Sequence, residues 1–189
     1  MALRTVRKFG DEILEKKANP VRDNSKRIQD LIDDMFETMY DADGVGLAAP
    51  QVGILKRIVV IDVSEKRDTP LVLINPEVIS TEGEQTGPEG CLSYPGKSGI
   101  VKRPAKVKFT AYDRDFKKYD MEAEGLLARA VMHETDHLEG HVYTEKVIGK
   151  VYDSGDEEAE HEAEVVAGMI PPDEENEEDD GKKKGRKRK

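Results

Sequence analysis

Every strand-like run in this chain lies between two segments of helical periodicity, and that order restricts the fold more than any other feature. Near the N-terminus, Ile28, Leu31, Ile32, Met35, Phe36 and Met39 fall on one face of an amphipathic helix, with Ser25 standing where its N-cap would be. Asp41 to Gly46 interrupts that pattern with glycine-rich turn chemistry. Arg57–Val63 (RIVVIDV) and Leu71–Asn75 (LVLIN) are β-branched runs of strand length. Shorter strands are expected at Val78–Ile79, Ile100–Val101 and Val107–Tyr112. In the last of these, Val107, Phe109 and Ala111 alternate with Lys106, Lys108 and Thr110, so one face is wet. A second helix spans about Gly125 to Leu138. Strands gathered between helices predict an α+β domain with mixed or antiparallel sheets, not a βαβ repeat.

Charge divides the chain in two. Between Asp153 and Asp180 there are 14 acidic residues and no Lys or Arg, while Gly181–Lys189 holds 7 basic residues. Residues 1–152 keep 26 acidic and 23 basic residues, so the body is near neutral and the net charge of -10 belongs to the tail. We therefore read 1–152 as one domain and 153–189 as an acidic, then basic, tail. A weak helix is expected from Asp153 to Met169, ended by Pro171–Pro172. Beyond it, DEENEEDD and KKKGRKRK hold too little apolar surface to offset ordering entropy and are expected to be disordered. KKKGRKRK has the composition of a nucleic-acid patch, one that could touch ribosomal RNA. The acidic run beside it opposes that, so a solvated tail without specific nucleic-acid binding is preferred. No run nears the roughly 18 apolar residues of a membrane span. A lone cysteine, Cys91, cannot form an internal disulfide.

The most informative stretch is Leu126–Gly140, LLARAVMHETDHLEG. His133 and His137 are four apart, so on a helix both imidazoles leave the same face and can share one small cation. The pattern His-Glu-x-x-His is a zincin-type signature, with Glu134 as its candidate base. Leu127, Ala130, Val131 and Leu138 share the arc of Glu134 and would carry its carboxylate into apolar surroundings. An unpaired buried charge costs several kcal/mol, a cost that packing does not explain and catalysis does. Two histidines leave a catalytic site one ligand short. His141 and His161 read as surface residues, and Glu145 is close in sequence for a third ligand. Asp136 is equally compatible with supporting the histidines or with facing solvent.

The better third ligand is Cys91, in Pro88–Pro95 (PEGCLSYP), 42 positions before His133. A lone cysteine is most often a small buried hydrophobe. A thiolate nucleophile is a second reading, but it leaves His137 and Glu134 without roles, so ligation is preferred. The loop Gly44–Gly53 (GVGLAAPQVG) allows close backbone approach, and it lacks the context of a dinucleotide site.

Taken together, GVGLAAPQVG, EGCLSYPG and HETDHLEG resemble the three signature motifs of the peptide deformylase family, in the same order and separation. The opening segment VRKFGDEILEKKANPV, from Val6, is also similar to that family, and the resemblance runs to about Val147. It implies sheets packed around a C-terminal metal-binding helix, with the amphipathic helix N-terminal to them. It implies hydrolysis of the formyl group from the N-terminal formylmethionine of newly made proteins, with release of formate. By the same resemblance Cys91, His133 and His137 are the metal ligands, and Glu134 is the general acid/base. Gln51 and the backbone N–H of Leu92 are donors to the formyl oxygen. Gly46 binds the peptide backbone, while Val45, Glu89 and the metal-binding helix line the methionine pocket. The implied cofactor is one divalent ion, Fe(II) physiologically, with Zn or Ni able to replace it. The implied partners are nascent formylated chains and, transiently, the ribosome. The family-like segment begins by Val6 and leaves no room for a leader, so bacterial cytoplasm is expected.

Three positions depart from the family's pattern. Met132 precedes His133 where Gln is common, Tyr94 replaces a β-branched aliphatic, and HVYTEKV stands where an apolar segment with an Asp-Arg pair is usual. Two rival readings are a zincin-like endopeptidase and a non-catalytic binding protein on the same scaffold.

Overall fold

The computed structural model describes residues 2–171. The readings of DEENEEDD and KKKGRKRK lie outside the described residues. The first helix, α1 (Lys26–Asp41), starts where the apolar spacing places it and buries Ile28, Leu31, Ile32, Met35 and Met39. Ser25 holds the N-cap position, but its side chain makes no capping bond. Its N–H instead donates to Asp23 Oδ1 at 3.0 Å, and its carbonyl takes the Ile28 and Gln29 amides.

Among the described residues eight strands follow: β1 (Gly46–Ala48), β2 (Ile58–Ile61), β3 (Leu71–Glu82), β4 (Gln85–Cys91), β5 (Tyr94–Arg103), β6 (Lys106–Tyr112), β7 (Lys118–Glu124) and β8 (Val147–Asp153). The helix α2 (Gly125–Glu139) joins β7 to a short turn before β8, and α3 (Glu157–Val166) comes last. One sheet has the order β1-β2-β3-β6-β7 and the other β4-β5-β8. All pairs within both are antiparallel, which resolves the choice between mixed and antiparallel.

The five-stranded sheet is covered on both faces. Val59, Ile61, Leu73, Phe109 and Ala111 pack with Ala128, Ala130, Val131 and Leu138 of α2. Ile58, Val60, Val72 and Ile74 point the other way and pack with α1. Double coverage explains why β2 reads as an unbroken apolar run and not as an alternation.

The two short runs 71–75 and 78–79 are one strand. Pro76 has no N–H for the ladder, and β3 accommodates it through register shifts between Ile74 and Glu77 and between Val78 and Ser80. No strand is expected from the sequence at β1, β4, β7 or β8. QTGPEGC and KYDMEAE are polar or glycine-rich, and neighbouring strands rather than intrinsic preference hold them extended, whereas β8 carries strand-forming Val147, Ile148, Val151 and Tyr152.

The acidic stretch that begins inside β8 forms α3, which packs on the domain through Ala163, Ile100 and Tyr152. Ala159, Ala163 and Ala167 recur at four-residue spacing and give this charged helix an apolar stripe. Asp156 caps it by accepting from the Ala159 amide at 3.1 Å.

The end of α2 is fixed by Gly140, with φ +86°, where an added Cβ would lie 2.5 Å from the Glu15 carbonyl oxygen. Gly140→Ala is expected to destabilise the fold by more than about 1 kcal/mol, read as a lower denaturant midpoint at unchanged m. An unchanged midpoint would show that this close approach is not a constraint.

Candidate active site

Three elements converge on one point. The inner face of α2 carries His133, Glu134 and His137, the β4–β5 hairpin carries Cys91, and the turn Ala49–Val52 after β1 carries Gln51. The ligand atoms of Cys91, His133 and His137 all lie within 4.8 Å of one another. Cys91 Sγ is 3.3 Å from His137 Nε2. The spacing is close to what one small cation with bonds of about 2.0–2.3 Å demands, and a thiolate with two imidazoles is a donor set for Zn, Fe or Ni. His133 Nδ1 is 3.0 Å from Glu89 Oε2, which leaves Nε2 for the cluster.

Glu89 was expected to line the methionine pocket. It does border the cleft, but its carboxylate is committed elsewhere. It accepts from Arg103 Nε and Nη2 at 2.8 Å each and from Arg129 Nη1 at 2.9 Å, besides meeting His133. Arg103 Nη1 reaches Asp136 Oδ2 at 2.6 Å, and Lys146 Nζ contacts both Asp136 oxygens at 2.6 and 2.7 Å. Asp136 is therefore buried and paired, which decides between its two readings.

Burial alone would raise the Glu89 carboxyl, but hydrogen bonds from Arg103 and His133 hold it at about 2. Burial also disfavours a charged His133, yet bonds to Cys91 and Glu89 raise it to about 10. His137 is driven well below its usual range by burial and by the charge on His133.

Glu134 is only 5% exposed, and its Oε2 has no hydrogen-bond partner among the described residues. Burial pushes its carboxyl up to about 7. That value suits a group that must both take and return a proton near neutrality. Gly46 makes room for it, since a Cβ there would sit 2.4 Å from Glu134 Oε1.

Gln51 is buried, and its Oε1 accepts from the Ala48 amide at 2.8 Å. Its Nε2 lies 3.2 Å from Ser93 Oγ and 3.4 Å from Cys91 Sγ, directed at the cluster. Val45, Gly46, Gln51, Glu89, Cys91, Leu92, His133 and Glu134 all border one cleft of about 540 Å³. His137 lies behind it, 1% exposed. Glu145 serves as a local brace, accepting from the Val142 amide at 3.1 Å and meeting His141 at 2.9 Å. Met132 packs at the edge of the core beneath α2, and Tyr94 stacks on Phe9.

Arg103, Arg129, Lys146 and Ser93 were missed. The burial argument that singled out Glu134 applies equally to Arg129, an arginine between Ala128 and Ala130. Nothing local distinguishes Arg103 or Lys146 from surface charges.

The family model for polypeptide deformylase matches residues 3–152. Peptide deformylase of Lachnoclostridium phytofermentans is 60% identical over 162 residues, covering 85% of this chain and 99% of the relative. Peptide deformylase of Agathobacter rectalis is 59% identical over 153 residues, covering 81% and 95%. Among solved structures, a peptide deformylase from Legionella pneumophila superposes with a TM-score of 0.75 at 39% identity, covering 89% of this chain and 95% of that one. Peptide deformylase from Thermotoga maritima gives 0.75 at 37% identity, covering 78% and 99%. Motifs, topology and relatives converge, and the chain belongs to the polypeptide deformylase family.

Proposed function

We propose that this chain removes the formyl group from N-terminal formylmethionine of newly made polypeptides and releases formate, with one divalent cation held by Cys91, His133 and His137. The observation that carries the reading is the buried Glu134 carboxyl beside that Cys/His/His cluster, its Oε2 without a hydrogen-bond partner among the described residues. A binding protein has no use for such a costly group.

The chemistry a bound cation supplies is Lewis acidity, which brings water within reach of deprotonation near neutral pH. Glu134 takes a proton from the attacking water and later delivers it to the departing amine. Oxygen adds to the formyl carbon first, and the C–N bond then breaks as the amine takes that proton, leaving formate and a free methionyl amine. Gln51 Nε2 and the Leu92 N–H donate to the formyl oxygen as negative charge develops on it. Gln51 is pre-set for this, because Ala48 fixes its carbonyl end and Ser93 its amide end. Gly46 presents backbone to the peptide, and Val45, Glu89 and α2 border the pocket for methionine. A formyl carbon bears only hydrogen, so a site closed around it would exclude larger acyl groups sterically.

The bound ion is Fe(II) in this proposal, with Zn and Ni as competent substitutes. The substrates are nascent chains, met transiently at the ribosome in the bacterial cytoplasm, in keeping with the bacterial relatives.

Formate release from formyl-Met-Ala-Ser is the expected activity, with no cleavage of the unformylated tripeptide. Cleavage of internal peptide bonds would favour an endopeptidase instead. Glu134→Ala should abolish turnover with the cation retained, and Gln51→Ala should lower kcat about 10²–10³-fold. Cys91→Ala should lose cation affinity. Near wild-type deformylation by Glu134→Ala would remove it as the base. Gly46→Ala should reduce kcat with cation content unchanged, because the added methyl displaces Glu134. Elemental analysis of anaerobically purified protein should find iron, and stoichiometric zinc without iron would reject the Fe(II) assignment.

A further inference from the structure

The opening segment has no part in the chemistry above, yet it is hydrogen-bonded to both turns at the cleft. It runs without helix or strand through residues 2–8 and is anchored first on α1. There the Ala2 amide donates to Asp34 Oδ1 at 2.7 Å, the Arg4 amide donates to Thr38 Oγ1 at 2.9 Å, and the Arg4 guanidinium pairs with Asp34 at 2.8 Å.

Beyond Arg4 it reaches the cleft. The Arg7 amide donates to the Gln51 carbonyl at 2.7 Å, and the Phe9 amide donates to the Ser93 carbonyl at 2.7 Å. Between them, Lys8 Nζ donates to the Leu92 carbonyl at 3.1 Å. In an extended chain, residues two apart face the same side, so Arg7 and Phe9 can bond two different turns at once. The Phe9 ring then stacks on Tyr94, with centroids 4.6 Å apart and planes within 10°.

The two turns bridged are those that carry the oxyanion donors. No backbone hydrogen bond joins them directly among the described residues. Their one polar link there, besides the Gln51–Cys91 contact, is Gln51 Nε2 to Ser93 Oγ at 3.2 Å. Arg7, Gln51, Ser93 and Phe9 thus close a ring around the donor pair.

We propose that Arg7–Phe9 is a positioning strap that fixes the separation of Gln51 Nε2 and the Leu92 N–H, with Lys8 and Phe9 as its working side chains. The proposal rests on the deformylase reading. Lys8 borders the cleft, but the role proposed for the strap is positioning and not contact with the reacting atoms. It acts through Gln51 and Leu92, and a misplacement of about 1 Å in such a site costs up to about 10² in rate.

The test is steady-state formate release from formyl-Met-Ala-Ser by the full, cation-loaded chain. Phe9→Ala should lower kcat about 10- to 100-fold with KM and cation content unchanged, and Phe9→Tyr, which keeps the stacked ring, should restore it. Lys8→Met, at an exposed side chain, should lower kcat several-fold and serves if Phe9→Ala fails to fold. In a Gln51→Ala background, Phe9→Ala should add less than about a twofold further loss, because one of the two donors whose separation it fixes is already gone. The strap is overturned if Phe9→Ala and Lys8→Met stay within about twofold of wild type. It is equally overturned if the Phe9→Ala penalty persists in full without Gln51, or if kcat falls only as bound cation is lost. Wild-type chain that releases no formate overturns the deformylase reading itself, whereas active wild type with an unaffected strap variant overturns the strap alone.

Discussion

The His133–Glu89 contact is the joint on which the catalytic geometry depends. Nδ1 of an imidazole proposed to ligate through Nε2 must be held if Nε2 is to stay aimed, and here a buried carboxylate holds it. Glu89 can serve only because Arg103 and Arg129 occupy its remaining acceptor positions. Arg103 in turn needs Asp136, one helical step before His137, and Asp136 needs Lys146. The cluster on α2 is therefore fixed to the β4–β5 hairpin by charge as well as by packing. In a buried arrangement of this kind, loss of one partner strands the others without solvent and costs about 3–5 kcal/mol. Such a frame resists small displacements, which suits a site that must hold three ligand atoms together.

Glu134 stands just outside that frame. Its neighbour in sequence, His133, is tied down by hydrogen bonds, whereas the Glu134 Oε2 oxygen has none among the described residues. The contrast between Glu89, held at about 2, and Glu134, pushed up to about 7, separates a structural carboxylate from the proton carrier proposed above. Two acids on neighbouring elements have opposite fates because one meets two guanidinium groups and the other meets mainly hydrocarbon and glycine.

Much of this was legible in the sequence. Helical periodicity placed α1 and α2, and β-branched runs placed β2 and the first half of β3. Spacing brought His133 and His137 together, and the helical arc correctly buried Glu134. What stayed hidden depends on distant partners. The extension of β4 and β7 comes from neighbouring strands, and the packing of α3 from three alanines among many glutamates. The pairing of Arg103 and Lys146 with carboxylates arises only once the hairpin folds against α2. Glu89 was chosen for the right cleft but assigned a different task, since no local pattern marks two arginines converging on it.

The contact between Gly46 and Glu134 bears on how such an enzyme can adapt under selection by inhibitors. A ligand that fills the gap above this glycine touches backbone that cannot grow a side chain without intruding on Glu134, the proposed base. Escape by steric blockade is closed at that position, so resistance would have to arise at the outer rim, around Val45 and Leu126, where exposed side chains have freedom to change.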